Sequence, residues 1–586
     1  MILPMQKGNT KNVLSFTFTL LLFLGSALPA VANFPDRKKS FQGMDLVADI
    51  QPCDSAGSLV SQDSVAVAVY FRVTFSEAVA NVSQDDFTAV DVWESLVGEG
   101  VKDVSVLSES GIPLNTVFIV ELKTGSQEGK LGLNFNSGTN VQGTNSAEVN
   151  AYVGSEFFYC SDGAGVVGTR IVDPDGATPL PTDTYRSVYD AIQVLNYFGP
   201  GKGALYQLRA GNYYETENLV ITQSGTKDNP VVFEPYEKEA VVFKMTGNSS
   251  SPVFTLVGSW ITLSGFIFDT IAQDTISIVG SNNRLEKCSI SSQRMSASSD
   301  VKIEDSADSS VIEGCNFSML AATIGIKTIK VVEVLGKDGK VLNNTFFLEA
   351  TGDALVHAVD NEGGAAVEFQ GNYVSYQNDG PATGQYAVHL PLGGVFEQNY
   401  VHLQSYYNSF GGLAPSVSGV LMGGVAVVRN NFIFGFPGHQ FYAKTTEFTF
   451  SHNTLYQDKA NSSVDSALLY IAPGFVKGTC INNIFYDAGA GTKNYGIYDS
   501  SSLLTRDYNL YWMPNGAKYG NDGSDHSNFL TWKGVTEGKN SRNLDPLFES
   551  LDPGDESLYL TGSSPAINNG FDTGEKEDID GQEREE

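Results

Sequence analysis

Cysteine is scarce in this chain, five in 586 residues. That excludes a disulfide-stapled scaffold, and no Cys/His cluster has the spacing of a structural zinc site. Positive charge is short as well: 36 Lys and Arg stand against 67 acidic residues, a net charge of −31. Such a surface repels phosphate backbones and anionic membranes, so nucleic acid and lipid are poor partners. It also works against polyanionic sugars unless a local basic groove or bound calcium reverses the field. No phosphate-binding loop and no nucleophile elbow occurs. Long apolar runs are missing beyond the first one, Val13–Leu24, so no transmembrane span is expected in the mature chain. Lys7 and Lys11 precede that run and Ala30-Val31-Ala32 follows it. This is the pattern of a secretory signal peptide, residues 1–32, and no cysteine follows to carry a lipid. The expected location is secreted, extracellular or cell surface.

What is plentiful is glycine, 60 residues, with 11% aromatics, a pairing that favours β-structure with tight turns. Residues 44–160 show period-two patterning. Val65, Val67, Val69, Phe71, Val73 and Phe75 alternate with smaller or polar residues along Ser64–Phe75, which predicts a half-buried strand. Several such strands and no helical period suggest a β-sandwich. Cys53 and Cys160 bracket this module, and both a disulfide and two buried thiols stay open. Residues 161–184 are rich in Gly, Pro and Asp and predict a linker. Asp173 and Asp175 there could hold calcium, although a plain turn explains them; no other cofactor is evident. Tyr185–Phe198 carries Val188, Ile192 and Leu195 at helical spacing before Gly199-Pro200-Gly201, and predicts a capping helix.

Residues 185–586 then repeat an apolar strand, an Asn-containing turn and a second short strand. The motif occurs at Val341–Phe346, Val367–Tyr373, Val395–Tyr400, Val427–Phe432 and further copies. Its marked asparagines are Asn316, Asn344, Asn372, Asn399, Asn431, Asn453, Asn483 and Asn509. This spacing fits one turn of a three-sided parallel β-helix. The asparagines are expected to be structural, stacked at a corner that needs left-handed backbone.

Two resemblances follow. Val73-Thr74-Phe75-Ser76-Glu77-Ala78-Val79 with Asp85-Asp86-Phe87 resembles a bacterial Ig-like module, which implies a spacer or adhesive part. Gln207-Leu208-Arg209-Ala210-Gly211-Asn212-Tyr213-Tyr214-Glu215 and Ile261–Phe268 resemble coils of right-handed, pectate-lyase-like β-helix proteins, as do Asp545-Pro546-Leu547-Phe548 and Ser564–Gly570 near the end. The expected fold is all-β: a sandwich, then a right-handed parallel β-helix.

Proteins resembling this one often bind or cut polysaccharides. A lyase of that kind places basic residues on successive coils, and no lysine paired with a Leu-Arg-His-Gly phrase is found near Asn344–Asn372. Gly438-His439-Gln440 only echoes a hydrolase motif. The catalytic residues are therefore left unassigned. His389, Arg429, His439, Tyr442, Lys444, Tyr406 and Tyr407 are the candidate sugar-binding residues, from the central coils where five of the six histidines fall. The leading expectation is a surface protein that binds an extended glycan in an adhesive or matrix role. The alternative is a polysaccharide lyase acting on an acidic glycan.

Overall fold

A computed structural model describes residues 47–584, except 92–99, 144–151, 161–167, 173–183, 407–416 and gaps of six residues or fewer. The signal-peptide segment and Tyr407 lie outside the described residues. Among those described, no helix is long and apolar enough to cross a membrane.

The N-terminal module is two four-stranded sheets face to face. One runs Val47–Cys53, Val69–Phe75, Val117–Lys123, Gly100–Val106; the other runs Val65–Ala66, Tyr152–Cys160, Gly129–Phe135, Phe87–Asp91. Phe71, Val73, Phe75, Val120, Leu131 and Phe135 form the core between them. The single strand expected over Ser64–Phe75 is two. Val65–Ala66 pairs with Tyr159-Cys160 in one sheet, and Val69–Phe75 pairs with Val117–Leu122 in the other. Cys53 is a buried free thiol.

The second module is a three-sided parallel solenoid. Its first strand, Gly168–Val172, pairs in parallel with Ala204–Leu208 and so belongs to the coil rather than to a linker. Val172 is buried and Ile171 half-buried, and the strand gives the first full coil a paired edge. The helix Val188–Phe198 buries Val188, Ala191, Ile192, Val194 and Leu195 against the end of the core. A protease is expected to cut between Cys160 and Gly168 and to release two stable fragments on a gel. A chain resistant throughout that window would contradict the two-module organisation.

Inside the solenoid, like residues stack from coil to coil. Phe317, Phe346, Phe369 and Phe396 form one column with centroids 4.9, 6.1 and 5.6 Å apart. An asparagine column fills one corner. Asn344, Asn372, Asn399, Asn431, Asn453 and Asn483 each donate Nδ2–H to Oδ1 of the next member, at 3.0, 3.2, 3.0, 2.8, 3.1 and 3.1 Å, ending on Asn509. The same Oδ1 atoms accept the backbone N–H of the preceding member, as at Asn372–Asn399 (2.9 Å). Asn316 is not in this column. It is exposed at the start of the strand Asn316–Val334, and buried Cys315 takes the column position, with its N–H donated to Asn344 Oδ1 at 2.8 Å. The left-handed residue is also not the column asparagine but the one before it: Asn343, Gly371, Gln398, Asn430, His452, Asn482 and Tyr508 have φ of 55–67°. The amide is retained because it satisfies buried backbone groups. Asn372→Ala and Asn431→Ala should each cost about 1–3 kcal/mol, measured by denaturant midpoint, from the orphaned corner groups. Wild-type midpoints in both would contradict this.

A second buried polar corner holds Asp487. Oδ1 accepts from Gly489 N–H (2.8 Å) and Asn494 Nδ2 (3.1 Å), while Oδ2 is buried without a hydrogen-bond partner. Burial, only partly offset by those two bonds, pushes its carboxyl up to about 7. The folded value lies above the unfolded one of about 3.9. This contribution to stability is therefore complete below about pH 4 and is lost as pH rises through 7. Asp487→Asn mimics the protonated form. It should be the more stable protein at pH 8, on the order of 2 kcal/mol. The gap should close towards pH 4, and an equal gap at both pH values would refute a neutral Asp487.

The coils do not run to the end of the chain. Beyond Arg542–Asn543, the strands Phe548–Ser550 and Ser557–Leu560 form a hairpin, and residues up to Arg584 return along the outside as a strap. Phe548, Leu558 and Ile579 pack on the outward aromatics Phe432, Phe434, Tyr456 and Tyr486. Polar clamps tie the strap to successive coils: Asn482 with Phe571, Asn430 with Glu577, and Gln398 with Asp578. Apolar residues outside the solenoid are thus covered, which a coil repeat does not anticipate.

Candidate active site

Three sequence segments bring charged and imidazole side chains onto one face of the solenoid. The strand Asn316–Val334 carries Lys330 and Glu333, Thr345–Asp360 carries His357 and Asp360, and Gln385–Leu390 carries His389. Parallel register does the assembly: Lys330 pairs with His357, Glu333 with Asp360, and Asp360 with His389.

Asp360 is the centre. It is fully buried, so its charge needs partners on every lone pair. Oδ2 meets Nδ1 of His357 at 2.8 Å and Nδ1 of His389 at 2.9 Å. Oδ1 accepts the Glu362 N–H at 2.7 Å and lies 3.8 Å from Lys330 Nζ. Burial alone would raise the Asp360 carboxyl, but the hydrogen bonds from His357 and His389 outweigh it and hold it far below the usual range. An ionised carboxylate only accepts, so both imidazoles present Nδ1–H to it and keep Nε2 as the acceptor. Burial moves His357 downward, against the pull of Asp360. Lys330 is half-buried; desolvation works against its charge, but Glu333 at 2.7 Å and Asp360 raise it overall. Among the described residues, His357, Asp360 and His389 form a group of donors that could hold a metal ion.

A row of rings runs from this cluster along the same face. His357 and His389 are 4.8 Å apart, His389 and Tyr386 5.9 Å, Tyr386 and Tyr442 6.0 Å, Tyr442 and Tyr470 4.8 Å, Tyr470 and Tyr498 5.1 Å. His439 flanks it, 4.5 Å from Tyr470. Its Nδ1 accepts the Ala467 N–H at 3.2 Å, and burial pushes it down to about 4. Burial pushes the Tyr386 phenol up to about 12. The stacked tyrosines turn their faces to one another, so they offer solvent a line of edges and hydroxyls rather than flat platforms.

Of the candidates from sequence, His389, His439 and Tyr442 come together here. Arg429 does not. It is ion-paired to Glu397 (2.9 Å) and to Glu575 of the strap (2.5 Å), on another side of the coil. It is committed there because the strap crosses its corner. Lys444 is exposed and lies opposite Gly423 of the preceding coil. The backbone of Tyr406 pairs with Asn378; its side chain is outside the described part. Lys330, Asp360 and Tyr386 are not among the sequence candidates, and His357 figures there only as one of the five central-coil histidines. The available signal is spacing: Lys330 lies 27 residues before His357, one coil earlier and ahead of the Asn344–Asn372 window in which no lysine pairs.

No protein-family profile matches the chain. No curated protein matches it either. Among solved structures, pectate lyase Pel9A is 14% identical, covering 70% of this chain and 93% of its own, with a TM-score of 0.38. A mannuronic acid specific family 6 lyase from human gut microbiota is 13% identical over 64% and 91%, TM-score 0.40. The Dettilon tailspike protein is 12% identical over 64% and 69%, TM-score 0.31. Likenesses this loose say nothing about chemistry, and none of the comparisons assigns the N-terminal sandwich to Ig-like modules.

Proposed function

We propose that the protein is a polysaccharide lyase acting on an extended acidic glycan, with the residues around Asp360 as its reaction centre. The observation that supports this is a buried carboxylate holding two imidazoles from neighbouring coils, at the head of a row of tyrosines on one face. Cutting a uronate by elimination needs a base for the C5 proton, positive charge near the sugar carboxylate, and a proton for the departing oxygen. Asp360 fixes the tautomer that leaves an imidazole Nε2 free to take the C5 proton. Lys330, held between Glu333 (2.7 Å) and Asp360 (3.8 Å), is the cation at this centre, and it would have to exchange Glu333 for the sugar carboxylate. As the C4–O bond breaks and the C4–C5 double bond forms, the Tyr386 hydroxyl protonates the leaving oxygen. From His357 to Tyr498 the row crosses five coil steps, about 24 Å, room for roughly five sugar units hydrogen-bonded to phenol edges.

The second reading is the adhesive one, glycan binding without turnover, on a β-sandwich spacer of Ig-like type. The tyrosine row favours it, since a line of hydroxyls holds sugar with no chemistry attached. Losing Tyr442 and Tyr470 together (Tyr→Phe) should weaken polymer binding about tenfold by titration calorimetry, at two lost hydrogen bonds. The fold should survive, and unchanged affinity would remove the row from either reading. A glycan array run beside an ultraviolet assay for unsaturated uronate tells the readings apart: absorbing product means a lyase, binding alone means an adhesin.

A further inference from the structure

We propose that His357, His389 and Asp360 bind one divalent transition-metal ion, of the Zn²⁺ or Co²⁺ kind, and that the ion switches the reaction centre off. The donors are the two Nδ1 atoms and Asp360 Oδ2. They already converge, with each nitrogen 2.8 or 2.9 Å from the oxygen. An ion about 2.1 Å from all three would see nitrogen–oxygen angles near roughly 90°, the facial arrangement of a two-histidine, one-carboxylate site. Two imidazole nitrogens and one carboxylate suit such an ion far better than calcium, which needs six or more oxygens.

The surroundings orient the carboxylate as metal sites require. Oδ1 is anchored by the Glu362 N–H at 2.7 Å, which leaves Oδ2 presented to the imidazoles. Lys330 counts against a cation. Its ammonium, however, sits on the Oδ1 side and is paired with Glu333 at 2.7 Å. The side chain of His389 is 15% exposed, which opens the cluster to solvent.

The consequence for chemistry is a tautomer exchange. A neutral imidazole bonded to metal through Nδ1 carries its proton on Nε2 instead. No proton is lost, but the nitrogen that served as base becomes a donor. This consequence for turnover rests on the lyase reading; the ion site itself does not.

The test uses the full tag-free chain, stripped with a chelator. ZnCl₂ is added in a calorimeter and CoCl₂ is followed by visible absorption. One ion per chain should bind and raise the melting temperature. Affinity should fall at least about a hundredfold in His357→Ala and in His389→Ala. His389→Gln is the fallback where the alanine variant does not fold, with circular dichroism as the check. No saturable uptake, or uptake unchanged in folded variants, would overturn the site. Elimination by the same samples separates the two ideas. Ion uptake with no elimination by the stripped protein keeps the metal site and discards the lyase reading. Elimination without uptake does the reverse. Elimination accelerated by the ion would overturn the switch.

Discussion

Asp360→Asn should lower the turnover of a uronate polymer by about 10³–10⁴-fold while leaving the coil folded. The substitution keeps shape and volume and removes the charge. Asp360 Oδ2 now receives two Nδ1–H groups and Oδ1 receives a backbone N–H. An amide has one accepting oxygen in place of two. With its oxygen kept on the Glu362 N–H, the amide turns its NH2 to the imidazoles, whose Nδ1 atoms must then accept and whose protons move to Nε2, which costs the base; with its oxygen turned to the imidazoles, the NH2 is set against the Glu362 N–H and Lys330. Lys330 also loses one of its two carboxylate partners. The effect belongs in kcat, since the tyrosine row that holds the polymer is untouched. Initial rates read by ultraviolet absorbance, with a melting curve for each protein, measure it. A rate within tenfold of wild type in a folded variant would make Asp360 a structural residue only.

Arg294→Met should cost about 3–5 kcal/mol of stability. Arg294 is 2% exposed and Asp300 is fully buried. The guanidinium Nε lies 3.1 Å from Asp300 Oδ1, Nη2 reaches Thr275, and Ser292 completes the set on Oδ2 at 2.9 Å. Taking away the cation leaves a buried carboxylate without the Arg294 countercharge, and breaking a buried pair from one side costs far more than the pair contributes. Removing both charges, with Asp300→Leu added, should recover most of the loss. Denaturant midpoints of the three variants decide this. A double variant no better than the single would mean that packing around Arg294, rather than charge, sets the cost.

The solenoid was legible because its signal repeats. An apolar strand every 22–32 residues recurs from Val311 onward, and the core columns are built from it. The strap was not legible. Leu558 and Ile579 look like any coil apolar residue, and only the three-dimensional structure shows that they cover Phe432 and Phe434 from outside. The asparagines were found, but the residue bearing the strained backbone was misplaced by one. Sequence shows which residue recurs; it does not show whether that residue is chosen for its own φ or for the hydrogen bonds of its amide. Arg429 and His389 show the limit most clearly. Both are isolated polar residues beside apolar strands, yet one is stapled to Glu575 and the other faces Asp360. Which partner a side chain meets depends on register between coils 27–32 residues apart, and loops of unequal length hide that register from composition. The cluster around Asp360 is hidden for the same reason: its residues come from three coils and share no contiguous motif.

The measurement that bears most directly on the account is an ultraviolet time course of the purified, chelator-stripped chain with polymers of uronic acid, run beside His357→Ala and His389→Ala. The expected result is steady growth of the unsaturated-uronate absorbance with at least one polymer, abolished in both variants. No growth with any uronate polymer, or growth that persists in both variants, would contradict a lyase centred on Asp360.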